Sequence, residues 1–333
     1  MDLTGVREAT MMMRAARVGR YGPPEAVAVV DAPVPRPRPG EVVVRVEAAG
    51  VSAGDARMRA GRFPRGFGPL ARLAIGLRGP RAGVLGATFS GVVTQVGDGV
   101  QGRAVGDEVA GMTGVRLGGH AEFLAVPAAV AVPKPATVSH PDAAAALFGG
   151  TTALHFLRDR AQLQPGATVL VNGASGSVGS AAVQLAADLG ATVTAVCSMA
   201  NRELVTRLGA KRWIDYTRTP ITGLAERFDV VFDAVGNLSR VDGLRLREAG
   251  GSLILAVAPL ADLLRGGRGV FAGSVPERPE DVAHLLGLVA AGRLDPLTTV
   301  AGGLDALPDA YRLIDSGRKV GNLVILPAAG RTS

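Results

Sequence analysis

A single cysteine, Cys197, stands among 333 residues. It excludes an intrachain disulfide and any all-cysteine zinc site. Lysine is almost as scarce. Lys134, Lys211 and Lys319 are the only three, so 33 of the 36 basic residues are arginine. Aromatics make up 4%, which argues against a surface built for base stacking. Charged residues reach only 20% against 47% hydrophobic, a balance that excludes disorder and supports sizeable cores. The longest uncharged stretch, 161–187, is interrupted by Gln162, Pro165, Asn172 and glycines, which are poor membrane filler. The opening MDLTGVREATMMM lacks an apolar core of signal-peptide length. A cytoplasmic protein with no membrane partner is expected, with residues 1–13 as a disordered leader.

At about 150 residues per domain the length predicts two domains. The 46 glycines and 21 prolines follow no short repeat, which excludes collagen-like and low-complexity chains. The formal net charge is +7. Its densest run (Arg57, Arg59, Arg62, Arg65, Arg72, Arg78, Arg81) is interleaved with Gly and Pro and reads as one basic loop. The remaining arginine reads as scattered surface charge, so no nucleic-acid partner is expected. Such a partner would bind with a steep salt dependence.

The first third reads as β, with short apolar or alternating runs at 14–18, 26–30, 41–48, 90–96, 107–111, 119–126 and 129–132. YGPPE, PVPRPRPG and Gly-Asp pairs punctuate them, which predicts a small β-barrel-like domain. No helix of ordinary length is evident before Pro141. Beyond it, helices at 141–148 and 152–161 lead into alternation: strand 168–171, helix 177–189, strand 192–197, helix 201–208, strands 213–214 and 230–233, helix 238–248, strand 252–256. That order predicts βαβ units, a parallel sheet and helices on both faces. A strand at 270–274, helices at 279–291 and 304–316 and a strand at 322–326 follow. The last of these are expected to rejoin the first domain.

The segment TVLVNGASGSVGSAAVQLAADLGATVTAVC combines strand, Gly-rich turn, helix and second strand. Within it, Ala174 to Gly179 forms a dinucleotide fingerprint with Ala in the first glycine position. Gly176 allows close backbone approach to a pyrophosphate, and Gly179 allows close packing of helix on strand. The N–H groups at the helix start, in the turn Ser175, Gly176, Ser177 and Val178, then face the phosphates. The second strand ends Val196-Cys197-Ser198 without the carboxylate that would hold a ribose 2′-hydroxyl. Ser198, Asn201 and Arg202 suit a 2′-phosphate instead, so NADPH is expected over NADH. Glu203 is assigned to the first turn of the following helix, where negative charge is favourable.

These residues resemble the zinc-free medium-chain dehydrogenase/reductases of the quinone oxidoreductase type. The resemblance spans roughly Arg14 to Leu326 through RYGPPEAV, PRPGEVVVRVEAAGVSAGD, GDEVAGM, GGHAEFLAVP, GGTTALHFL, ASGSVG, LGAKRWIDY, DVVFDAVG and VGNLVIL. It implies a GroES-like β-barrel domain at 14–136 and 292–327. It also implies a Rossmann NADP-binding domain at 137–291, a cleft between the two, and a homodimer. Zinc-dependent relatives carry Cys where this chain has Ser52, and a His-Glu pair after the glycine that matches Gly86, here followed by Ala87-Thr88. No zinc is therefore expected. The histidines are isolated, and hydride chemistry without a metal points to a quinone or enone substrate.

The resemblance further implies Ser52 (Asn in many relatives) and the Thr151-Thr152 pair as donors to the substrate oxyanion, with Thr152 on the nicotinamide side. It implies Asp55 as a loop-orienting residue, with a turn-capping carboxylate as the alternative, Ser198 and Tyr216 at the adenosine ribose, with core packing as the alternative for Tyr216, and Val235 and Gly236 along the cofactor. Asn322 stands where many relatives carry Lys. An apolar substrate pocket is expected from the loops 53–86 and 259–269, through Met58, Phe63, Phe67, Leu70, Leu77 and Leu260. An NADPH-binding protein with a structural or interaction role is the alternative.

Overall fold

A computed structural model describes residues 11–329. Residues 1–10 of the expected leader lie outside the described residues, while Met12 and Met13 already belong to strand β1 (Met12–Val18). It pairs antiparallel with β2 (Val27–Pro33). Alternating and doubly buried valines then build β3 (Glu41–Val51), the centre of a seven-stranded sheet. Two helices follow inside the arginine-rich run: α1 (Ala53–Ala60) and α2 (Gly68–Ile75). They correct the expectation of one basic loop with no helix before Pro141. Frequent Gly, Pro and Arg mask a helical period that Ser52 and Asp55 nonetheless initiate as a capping box.

The sheet continues through β4 (Thr88–Val96), β5 (Glu108–Met112), β6 (Phe123–Pro127) and the two-residue β7 (Val132–Pro133). All of its pairings in this part are antiparallel. Buried Val42, Val44, Val46, Phe89, Val93 and Val109 form its core.

Helix α3 (His140–Leu154) is capped by Ser139, whose hydroxyl accepts from the Asp142 N–H, with a proline in the first turn. Its alanines 143–146 are all buried, and small side chains let it pack against β3, β4 and the helices Ser177–Asp188 and Pro279–Ala290 together. The expected break before Thr152 is absent. The helix runs on into a π-helical turn over His155–Arg160.

Alternation then yields β8 (Thr168–Asn172), α4 (Ser177–Asp188), β9 (Thr192–Cys197), α5 (Arg202–Arg207), β10 (Arg212–Asp215) and β11 (Phe228–Asp233). Next come α6 (Arg240–Leu246), β12 (Arg247–Leu255), α7 (Leu260–Arg265), β13 (Val270–Ala272) and α8 (Pro279–Ala290). The six strands are parallel in the order β10-β9-β8-β11-β12-β13, the doubly wound arrangement. Finally β14 (Thr298–Gly302), α9 (Leu307–Asp315) and β15 (Asn322–Ile325) return to the seven-stranded sheet. There β15 pairs antiparallel with β3 through Leu323↔Val51 and Val324↔Gly50. The fold is α/β: a GroES-like β domain beside a Rossmann sheet.

One buried charge ties α1 to α9. Arg59 is fully buried; its guanidinium donates to Gly22 O and to Asp315 Oδ2 at 2.6 Å and lies 5.1 Å from the Tyr311 ring centroid. Exposed Arg62 binds the other oxygen of Asp315. Asp315→Asn leaves the Arg59 charge buried without its carboxylate and is expected to cost about 3 kcal/mol in urea unfolding. Arg62→Ala, on the solvent side of the same carboxylate, is expected to cost less than about 1 kcal/mol.

Candidate functional site

Strand β8 ends at Asn172, and the chain turns through Gly173–Gly176 into α4. The N–H groups of Ser177 and Val178 fall in the first helical turn, without intrahelical acceptors and at the positive end of the dipole. A Cβ on Gly179 would lie 2.0 Å from Gly173 O, so only glycine lets the helix sit this close to the strand. On Gly176 the nearest atom to a Cβ would be Gly173 O at 3.5 Å, which leaves that position open. Gly149 of α3 approaches the same turn, since a Cβ there would meet Ser177 O at 2.4 Å. From the other side the Gly321 N–H donates to Ser175 O at 2.9 Å, which lays the segment before β15 across the turn.

These elements bound a cleft of about 1080 Å³. Ser52, Asp55, Ser175, Gly176, Ser177, Val178, Gly179, Ser198, Asn201, Tyr216, Val235 and Asn322 line it, from three separate parts of the chain. The expected residues Thr151, Thr152, Arg202 and Gly236 are not among its lining. The Thr151 hydroxyl donates to Leu147 O and the Thr152 hydroxyl to Phe148 O, each at 2.8 Å, one turn back along α3. That back-bonding is the ordinary alternative for a helical threonine. The Arg202 guanidinium lies 5.5 Å from the Trp213 ring centroid and is held there as a cation–π pair. Gly236 adopts φ +85°, a turn conformation in which its N–H donates to Asp233 Oδ1 at 3.1 Å.

Ser52 and Asp55 are bound to each other. The Ser52 N–H and hydroxyl both donate to Asp55 Oδ2, at 2.8 and 2.6 Å, and the Asp55 N–H returns a bond to Ser52 Oγ. Asp55 Oδ1 accepts from the Gly86 N–H at 3.0 Å, which joins α1 to the strand-entry loop before β4. The single proton of the Ser52 hydroxyl is thus already given away inside the protein, which opposes its expected role as an oxyanion donor. The side chain of Asn322 is likewise occupied, donating to Pro296 O at 2.6 Å. At the adenosine end, Asn201 Nδ2 donates to Ser175 Oγ at 3.0 Å, and Tyr216 is exposed. Cys197 lies beneath, its Sγ 3.1 Å from Trp213 Nε1 and its thiol pKa raised by burial.

Four lining or supporting residues escape a linear reading. Buried Asp233 accepts from the N–H groups of Val235, Gly236 and Leu238 and from Asn172 Nδ2, which fixes the loop after β11. Asn172 also donates to Asn237 Oδ1 at 2.7 Å. Arg57 lines the cleft one turn after Ser52, and burial together with Arg62 lowers its pKa. Lys319 lines it too, donates to Gly321 O, and is lowered to about 8 by burial. Among the described residues it has no carboxylate partner. Lysine scarcity was the only signal in the sequence that could have singled it out. None of Met58, Phe63, Phe67, Leu70, Leu77 and Leu260, expected at a substrate pocket, lines this cleft.

A parallel nucleotide-type sheet joined through a glycine turn to a β-rich sheet defines a two-part oxidoreductase architecture. Residues 38–136 match the family model of the alcohol dehydrogenase GroES-like domain, and residues 208–325 match that of zinc-binding dehydrogenases. The chain is 31% identical over 308 residues to the 2-methylene-furan-3-one reductase of Solanum lycopersicum, covering 88% of this chain and 74% of that protein. It is 29% identical over 308 residues, with the same coverage, to an NADPH-dependent alkenal/one oxidoreductase of Arabidopsis thaliana chloroplasts. The solved quinone oxidoreductase of Coxiella burnetii superposes with a TM-score of 0.86 at 26% identity, over 95% of this chain and 99% of that one. The chain belongs to the medium-chain dehydrogenase/reductases of the quinone oxidoreductase type and is an NAD(P)H-dependent oxidoreductase.

The two turn glycines separate packing from binding. Gly176→Ala is expected to keep the melting temperature within a few degrees, because its Cβ meets only Gly173 O at ordinary contact distance, yet to weaken nucleotide binding at least about tenfold. Gly179→Ala is expected to lower the melting temperature as well, since its Cβ collides with backbone. Calorimetric melting and nucleotide fluorescence titration read the two effects apart.

Proposed function

We propose that this protein is a zinc-independent, NADPH-dependent reductase. It would transfer hydride to a quinone or to the double bond of an α,β-unsaturated carbonyl compound. The observation that carries this is the cleft itself: an open glycine turn at a helix start faces, across one continuous space, a wall that offers positive charge and no metal-ligand set. The positions where zinc-dependent relatives hold their metal carry Ser52 and Ala87-Thr88, and His120 is buried with Nε2 3.0 Å from Gly50 O. Among the described residues no group of three His, Cys, Asp or Glu could hold a metal ion.

The chain's residues fit a dinucleotide in their donors and in their space. The N–H groups of Ser177 and Val178 would bind its pyrophosphate, and Ser198, Asn201 and Tyr216 its adenosine ribose. The lack of a carboxylate among the lining residues at the end of β9 supports NADPH over NADH, as does the Arabidopsis relative that is named for NADPH. When bound, the reduced nicotinamide supplies the hydride. On the opposite wall Arg57 takes the part first assigned to Ser52, stabilising negative charge that develops on the acceptor oxygen. Ser52 and Asp55 hold α1, and with it Arg57, in place. Lys319 supplies a counter-charge to the anionic cofactor beside Ser175.

The family resemblance also supports a homodimer in the cytoplasm. The pairing of β15 with β3 supports a catalytic unit at 14–136 with 292–327 around a nucleotide unit at 137–291.

NADPH consumption with a panel of quinones and enones, in the presence of a metal chelator, tests the reaction. Chelator-insensitive turnover with at least one acceptor is expected. Tight NADPH binding with no turnover on any acceptor would establish the non-catalytic alternative. Lys319 gives a pH signature. Its ammonium is charged below about 8, so NADPH affinity should be highest there and fall as pH rises through that value. Lys319→Met is expected to weaken binding about tenfold at neutral pH and to flatten the pH dependence of the dissociation constant.

A further inference from the structure

Helix α2 carries the apolar period of an ordinary core helix but presents it outward. Leu70 and Leu73 fall at i and i+3 on one face and are 60% and 64% exposed, and Leu77, just past the helix beyond Gly76, is 70% exposed. A soluble amphipathic helix normally buries that stripe. The adjoining α7 adds Leu264, which is 77% exposed. The two helices meet at one corner, where the Leu260 N–H donates to Arg65 O at 2.9 Å and a Cβ on Gly66 would lie 2.8 Å from Leu260 Cβ.

Charge of one sign accompanies this apolar face. No Asp or Glu occurs anywhere in residues 56–97. Arg65, Arg72, Arg78 and Arg81 are exposed, and none has a carboxylate partner among the described residues. Arg72 is instead drawn over the Tyr21 ring, at 5.8 Å.

The geometry points to this corner as a peripheral docking surface for an anionic phospholipid bilayer. The α2 leucines would enter the headgroup boundary while the arginines meet lipid phosphates. A second copy of the chain fits poorly, because a two-fold contact would set the same unpaired arginines against each other. A few leucines on a short helix also fall short of the area that a stable dimer buries. The docking is superficial, since no helix among the described residues is long and apolar enough to cross a membrane. It would extend the expectation of no membrane partner to a peripheral contact that crosses no bilayer. It does not rest on the proposed reaction, because its test reads binding and not turnover.

Co-sedimentation of the full chain with vesicles decides it. Vesicles of phosphatidylcholine containing about one quarter phosphatidylglycerol are expected to bind the protein at least about tenfold better than phosphatidylcholine alone, and less as salt rises. Leu73→Glu combined with Leu264→Glu should reduce that binding at least about fivefold while NADPH titration and melting stay unchanged, since both side chains are exposed. Absence of binding to either vesicle at low salt overturns the proposal. So does undiminished binding of the double variant. Light scattering that shows a dimer dissociated by the same substitutions also overturns it, because the face would then belong to a second copy.

Discussion

Backbone meets backbone at one place where no side chain could be tolerated, and the arrangement of the cleft follows from it. Gly179 lets α4 approach Gly173 O, and Gly149 lets α3 approach Ser177 O. Because both helices close on the same four-residue turn, α3 becomes the shared wall of the two sheets. The Gly321 N–H bond to Ser175 O then brings β15 to the turn from a distance of nearly 150 residues. Each contact costs the chain little side-chain entropy, since glycine has none to lose. The gain is a turn whose remaining N–H groups face open space and not protein.

Hydroxyls and cations divide the work on the far wall. The Ser52 proton goes to Asp55, and the threonine protons of α3 go to carbonyls one turn back. Each satisfies a local need, either a helix cap or an intrahelical acceptor, before any ligand arrives. Arg57 and Lys319 carry more donors than their surroundings consume, and burial raises the cost of their charge until an anion offsets it. In the proposed zinc-independent reaction, negative charge would be stabilised by what the chain itself supplies. Here the uncommitted donors are cationic.

The same division explains what was legible in the sequence. Strand and helix order from β8 to α8, α7 excepted, could be read because each element repeats its own period, and the turn ASGSVG could be read because its glycines answer to local geometry. Helices α1 and α2 were hidden by arginine, glycine and proline; α1 starts on the Ser52/Asp55 capping box, and α2 starts at Phe67 with no side-chain cap and a proline in its first turn. The position of Arg202 depends on Trp213, which reaches it only through the parallel pairing of β9 with β10. Lys319 gains its character from burial, two residues before the Gly321 N–H that binds Ser175 O. No local pattern encodes either outcome, because one is set by strand pairing and the other by a contact between distant segments.

The arginine excess therefore has no single meaning. Within one acid-free run, Arg59 turns inward and is neutralised by Asp315, and Arg57 turns to the cleft, while Arg65 and Arg78 stay at the surface. Helical spacing accounts for part of this: Arg57 and Arg59 stand about 200° apart around α1, so one charge pattern serves two opposite faces. The absence of acids from 56–97 keeps these charges from pairing with one another's neighbours. Asp315, which forms ion pairs with Arg59 and Arg62, comes from α9 near the far end of the sequence and fixes α1 against α9. One run of arginines thus supplies a cationic cleft wall and a buried tie, and its unpaired members stand at the surface beside the leucines of α2.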